Sequence, residues 1–88
     1  MKILAVCGSG LGSSFMLEMN IKDVLTEIGI EAEVDHSDLA SATQDVADWF
    51  VMGKDIANSA PHLNNVISLD SIIDKEELKQ KLEETLVD

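Results

Sequence analysis

The stretch that most restricts how this chain can fold is Cys7–Ser14, CGSGLGSS, in which glycine stands at positions 8, 10 and 12. Neither a strand nor a helix interior selects glycine at alternate positions, because each one costs about 0.5–1 kcal/mol relative to alanine. The segment therefore reads as a loop whose backbone either takes conformations closed to other residues or approaches a ligand closely. Its flanks set its place. Lys2–Val6 (KILAV) is a short apolar run of the kind that forms a fully buried strand. Downstream, Leu17, Ile21, Val24, Leu25 and Ile28 recur at helical spacing, and Gly29 is positioned to stop that helix in the left-handed conformation.

The remainder predicts further strands and helices in alternation. Ile30, Ala32 and Val34 alternate with Glu31, Glu33 and Asp35, as in a half-exposed strand at a sheet edge. His36–Asp48 is polar and broken by small residues, with a short helix expected over Leu39–Val46. Trp49–Met52 (WFVM) predicts a third strand ended by Gly53, and Lys54–Ala60 two helical turns that Pro61 bars from continuing. Val66–Leu69 predicts a fourth strand. Asp74 with Glu77 resembles a helix-opening capping box, and Leu78, Leu82 and Leu86 form the apolar stripe of a last helix. This alternation implies an α/β fold: a four-stranded parallel sheet flanked by helices on both faces. Right-handed crossovers, a central Lys2–Val6 and an outer, charged second strand give the order 2-1-3-4. No repeat, low-complexity stretch or linker divides residues 1–88, so one domain is expected. In such sheets ligands bind at the carboxyl ends of the strands, where the winding reverses. Cys7 sits there.

Charge excludes several functions. Seventeen Asp and Glu face six Lys and no Arg, for a formal net charge of −11. That surface repels phosphate backbones and anionic membranes, so no nucleic-acid partner is expected. No apolar run approaches the roughly 18 residues a membrane helix needs, and the N-terminus lacks the apolar core of a signal peptide. The expectation is a cytoplasmic chain without direct membrane insertion. One cysteine makes no internal disulfide and completes no metal site by spacing, and no cofactor is expected.

The loop itself points to anion chemistry. A loop between a buried strand and a helix directs backbone N–H groups outward, and the helix N-terminus adds about half a positive charge. Gly8, Gly10 and Gly12 let the chain curl into a nest, to which Ser13 and Ser14 add hydroxyl donors. Such donors hold a tetrahedral dianion and also stabilise a thiolate at Cys7. An anion-binding loop that begins with a nucleophilic sulfur reads as phosphoryl chemistry on cysteine. The competing readings are weaker. Inert core packing of Cys7 does not need the glycines that follow it. Ser13 stands where the third glycine of G-x-G-x-x-G belongs, and no Lys precedes Ser13 or Ser14 as in a Walker A loop. Flavin binding is disfavoured by a short chain with only three aromatics, Phe15, Trp49 and Phe50.

Cys7 followed by a hydroxyl residue at Ser13 resembles the phosphate loop of low-molecular-weight tyrosine phosphatases with their arginine replaced. That altered loop is similar to those of enzyme IIB components of the bacterial phosphoenolpyruvate-dependent sugar phosphotransferase system. LAVCGSGLGSSFMLEMNIK (Leu4–Lys22) most resembles the ascorbate-type branch of the lactose/cellobiose-type IIB superfamily. The resemblance implies the tyrosine phosphatase fold and a phosphoryl carrier. Cys7 would accept the group from a phosphohistidine IIA protein and deliver it to a sugar, with L-ascorbate the candidate, held by a membrane-embedded IIC transporter. It assigns phosphate binding to Gly8, Ser9, Gly10, Leu11, Gly12, Ser13 and Ser14. A phosphatase needs a bidentate arginine clamp and an acid for the leaving alcohol. Asp70 stands where that acid belongs, but the arginine is absent, and a solvated or capping role for Asp70 is the better reading. A redox-sensing or non-catalytic module is the third alternative.

Other residues carry less. His36, in the loop expected after the second strand, faces the Cys7 rim; it and His62 read as solvated loop histidines rather than metal ligands. Lys54, after the third strand, lies on the same rim and reads as a surface lysine. Met16 and Met19 flank the site and read first as core filling, second as an adaptable patch for a docking partner. The acidic run Asp74–Asp88 reads as a solvated helix face.

Overall fold

The computed structural model describes residues 1–7 and 11–86, residues 11–14 by their backbone alone. The strands are β1 (Lys2–Cys7), β2 (Glu33–Asp38), β3 (Trp49–Gly53) and β4 (Val66–Leu69). The α-helices are α1 (Leu11–Ile28), α2 (Lys54–Asn58) and α3 (Lys75–Leu86), and a single 3₁₀ turn, Gln44–Val46, precedes β3. All pairings are parallel and the strand order is β2-β1-β3-β4, as the alternation of elements implied.

Alternation along β1 explains why its sequence is apolar from Ile3 to Val6. Ile3 and Ala5 enter a core with Leu17, Ile21, Val24 and Leu25 of α1 and Leu78 and Leu82 of α3. Leu4 and Val6 point to the opposite face, into a second core with Phe50, Met52, Ala42, Ala60 and Leu63, against which Ile56 and Ala57 of α2 pack. A strand buried on both faces has no position for a polar side chain.

Helix α1 ends as its sequence dictates. Gly29 has φ +76°, its N–H bonds to the Thr26 carbonyl at 3.3 Å, and the Ile30 N–H reaches back to the Leu25 carbonyl at 2.9 Å. This pair of reversed bonds is a Schellman closure, which the absence of a Cβ at Gly29 permits. Helix α3 opens on Asp74, whose Oδ1 accepts the N–H groups of Glu76 and Glu77 at 3.0 and 3.1 Å. Glu77 does not return the bond to Asp74, as a capping box would have it. Its carboxylate instead accepts the N–H groups of Asp70 and Ser71, at 2.8 and 3.0 Å, and closes the β4–α3 turn.

The second strand differs from expectation. β2 begins at Glu33 rather than Ile30 and continues through His36, Ser37 and Asp38. Ile30 and Ala32 pack against the core from the connection before it. A polar sequence forms an edge strand here because only one of its sides has a neighbour, β1, which supplies six register partners from Lys2 to Cys7. The expected helix over Leu39–Val46 is reduced to Gln44–Val46, and that after β3 ends at Asn58.

Candidate functional site

Cys7 is the last residue of β1 and is partly exposed. Its register partner is Asp38, the last residue of β2, and its carbonyl accepts the Leu39 N–H at 2.9 Å. The two-residue period of a strand puts Cys7 on the face of Ile3 and Ala5, the face that α1 covers. β1 has β2 on one side and β3 on the other, so Cys7 stands at the carboxyl end of the strand where the winding reverses.

Helix α1 begins at Leu11, only four positions after Cys7. Leu11, Gly12, Ser13 and Ser14, expected in the loop, thus form the first helical turn, whose N–H groups have no intrahelical acceptor. Gly8, Ser9 and Gly10 lie outside the described residues. The first turn of α1 contains no acid, whereas α2 carries Asp55 there and α3 carries Glu76 and Glu77. In this acidic chain no acid of that first turn offsets the positive end of the helix next to Cys7.

Glu18 of α1 is a buried acid that the sequence reading missed. Its Oε2 accepts from Lys22 Nζ at 2.7 Å, and its Oε1 pairs with His36 Nδ1 across to β2. A carboxylate only accepts, so Nδ1 carries the hydrogen. The Lys22 ammonium holds the Glu18 carboxyl below the usual glutamate range, helped by His36 and opposed by burial. The ring of Phe15 lies 5.7 Å from that of His36, tilted by 47°. His36 is therefore a strand residue opposite Ala5, not a solvated loop histidine. Glu18, Asp35 and His36 bring donor atoms within 4.8 Å of one another, as a metal ligand set would. The ammonium of Lys22 already neutralises Glu18, so the group acts as a strut between α1 and β2 flanking Cys7. One signal pointed to Glu18: it falls on the stripe of Leu17, Ile21 and Leu25, with Lys22 four residues on.

The other rim candidates are spread out. Lys54 opens α2 and is exposed, and with Asp55, Asn58 and Asp70 it lines a shallow groove of about 440 Å³ at the carboxyl ends of β3 and β4. Asp70 is exposed, its backbone held by Glu77. His62 lies away from these, its Nε2 3.2 Å from the Ala42 carbonyl oxygen. Met16 and Met19 overturn their first reading: they are 54% and 52% exposed and fill no core. The core-facing positions of α1 are taken by Leu17, Ile21, Val24 and Leu25 instead. No helix among the described residues is long and apolar enough to cross a membrane.

Comparison with known proteins agrees with this geometry. The fold is similar to the solution structure of a low molecular weight protein tyrosine phosphatase from Bacillus subtilis, with a TM-score of 0.59. That match covers 98% of this chain and 92% of the other at 16% identity, and so speaks for the fold alone. An ascorbate-specific phosphotransferase-system EIIB component of Mycoplasma pneumoniae is 24% identical over 93 residues, covering 96% of this chain and 93% of that protein. The family model of the lactose/cellobiose-specific IIB subunit of the phosphotransferase system matches residues 2–84. With its sheet order, its cysteine at the winding reversal and nearly its whole length inside that match, the chain belongs to the lactose/cellobiose-specific IIB subunit family of the phosphotransferase system.

Proposed function

We propose that this IIB subunit carries a phosphoryl group on Cys7, taken from a phosphohistidine of a IIA protein and given to a sugar bound by a membrane IIC transporter. The observation that carries the reading is the position of Cys7, at the end of a central parallel strand and just before a helix whose first turn holds no acid. In the accepting step the Cys7 thiolate attacks phosphorus, an S–P bond forms and the N–P bond breaks. The N–P electron pair stays on the imidazole, which leaves neutral because its other nitrogen carries a proton. Gly8, Ser9, Gly10, Leu11, Gly12, Ser13 and Ser14 are assigned to the phosphate, through backbone N–H groups and serine hydroxyls. Such a transfer needs mainly alignment and charge stabilisation. In the delivering step a sugar hydroxyl attacks the same phosphorus, an O–P bond forms while the S–P bond breaks with its electron pair returning to sulfur, and the hydroxyl proton passes to solvent.

The chain has no arginine to clamp the equatorial oxygens as a phosphatase does, which suits a group passed to another molecule rather than to water. The relative's ascorbate specificity makes L-ascorbate the proposed sugar. The proposed place of action is the cytoplasmic side of the transporter. Intact-mass measurement after mixing with phosphorylated IIA protein tests the reading. One added phosphoryl group on the native chain, and none on a folded Cys7→Ser variant, is expected. Equal labelling of the two refutes it.

A further inference from the structure

The exposed stripe of α1 changes character along its length. Phe15, Met16 and Met19 are each about half exposed, at 51%, 54% and 52%, and at about 100° per residue they fall within one arc opposite buried Leu17, Ile21 and Val24. The same stripe continues with Asp23, Thr26 and Glu27, all exposed. Its apolar half is the half next to Cys7. A helix face that served only solvation would have no reason to make that distinction, because exposed Met and Phe gain nothing from water.

Distance arithmetic connects the patch to the reaction. A donor protein must bring its phosphorus within about 3–3.5 Å of the sulfur. A standard interface takes about 800 Å² per partner, a disc of about 16 Å radius around the point of transfer. Met19 lies about 12 Å along the axis from the start of α1, and Phe15 and Met16 lie nearer, so all three fall under such a disc. A donor that covers Cys7 and extends along α1 as far as Met19 meets them.

From this we infer that Phe15, Met16 and Met19 are the docking surface for the phosphohistidine-bearing donor protein, an inference that rests on the proposed function. The donor surface that fits has an apolar centre for these side chains and basic residues around it, to meet Asp23 and Asp35 and a chain of net charge −11. Two methionines suit the task because an unbranched thioether repacks against a partner at little cost.

The test measures initial rates of phosphoryl transfer from the phosphorylated IIA protein at varied donor concentration. Native chain, a Met16→Gln/Met19→Gln variant and a Glu27→Gln variant are compared, with sedimentation recorded for each. Glutamine favours helix and these sites are exposed, so the fold is retained, as circular dichroism verifies. The expected result is a KM for donor raised about tenfold in the double variant, its maximal rate nearly kept, and Glu27→Gln unchanged. An unchanged KM overturns the inference, as does a native dimer that the double substitution dissociates while KM stays the same, since the patch then serves a second copy. A native chain that takes no phosphoryl group on Cys7 refutes the proposed function itself and is read from that sample alone.

Discussion

Replacing Glu18 by Gln isolates the charge in the strut that joins α1 to β2 while keeping side-chain shape. The Glu18 side chain is only 9% exposed, whereas Lys22 is 55% exposed, so their contact at 2.7 Å ranks with solvent-screened helix pairs worth about 0.3–0.5 kcal/mol. The bond from His36 is the larger part: a hydrogen bond to a charged group contributes about 1.5–3 kcal/mol against about 0.5–1.5 for a neutral one. Removing a nearly buried charge returns some desolvation energy. The net cost is about 1 kcal/mol near neutral pH, or about 4–8 °C in melting temperature for a domain of this size. The direction with pH follows from the lowered Glu18 pKa. A carboxyl that ionises more readily folded than unfolded adds stability that is present above the unfolded value, near 4.5, and is lost as pH falls through the lower folded one. Urea unfolding of both proteins, from about pH 7 down to about pH 3, reads this out. The native chain should lead at neutral pH, and the gap should close in acid. A variant as stable as the native chain at neutral pH, or a gap that stays constant into acid, refutes the reasoning.

Two further outcomes are expected. Leu82→Ala removes a side chain with no exposed surface between α3 and the sheet, and should cost about 2–5 kcal/mol with little change in urea m-value. A loss below about 1 kcal/mol would mean that α3 is not part of the core. Glu77→Ala frees the N–H groups of Asp70 and Ser71, and should cost about 1–2 kcal/mol while accelerating amide exchange at those two positions. Those N–H bonds, that of Asp70 foremost, hold the Glu77 carboxyl below the usual range. The stability it adds is thus present above the ordinary glutamate value and disappears in acid; unchanged exchange at Asp70 and Ser71 would count against the role.

Sequence alone determined the elements whose signal is local. A β1 apolar from Ile3 through Val6 demanded burial on both faces, Gly29 closed α1, and the Leu78/Leu82 stripe placed α3, each by a preference acting within a few residues. The alternation of strands and helices with right-handed crossovers then left the order 2-1-3-4 and set Cys7 at the reversal. Tertiary structure decided the rest. His36–Asp38 is polar enough for a loop and becomes a strand only because β1 offers it an open edge to pair with. Glu18 is tied to the sheet only because His36 arrives from a strand 18 residues away in sequence, adding a second partner to the local Lys22. Met16 and Met19 look like core residues in one dimension, and stand exposed because Leu17 and Ile21 already fill the face that meets the sheet. Local preferences reach a few residues along the chain, and these three outcomes depended on where the sheet, remote in sequence, meets α1 and β2.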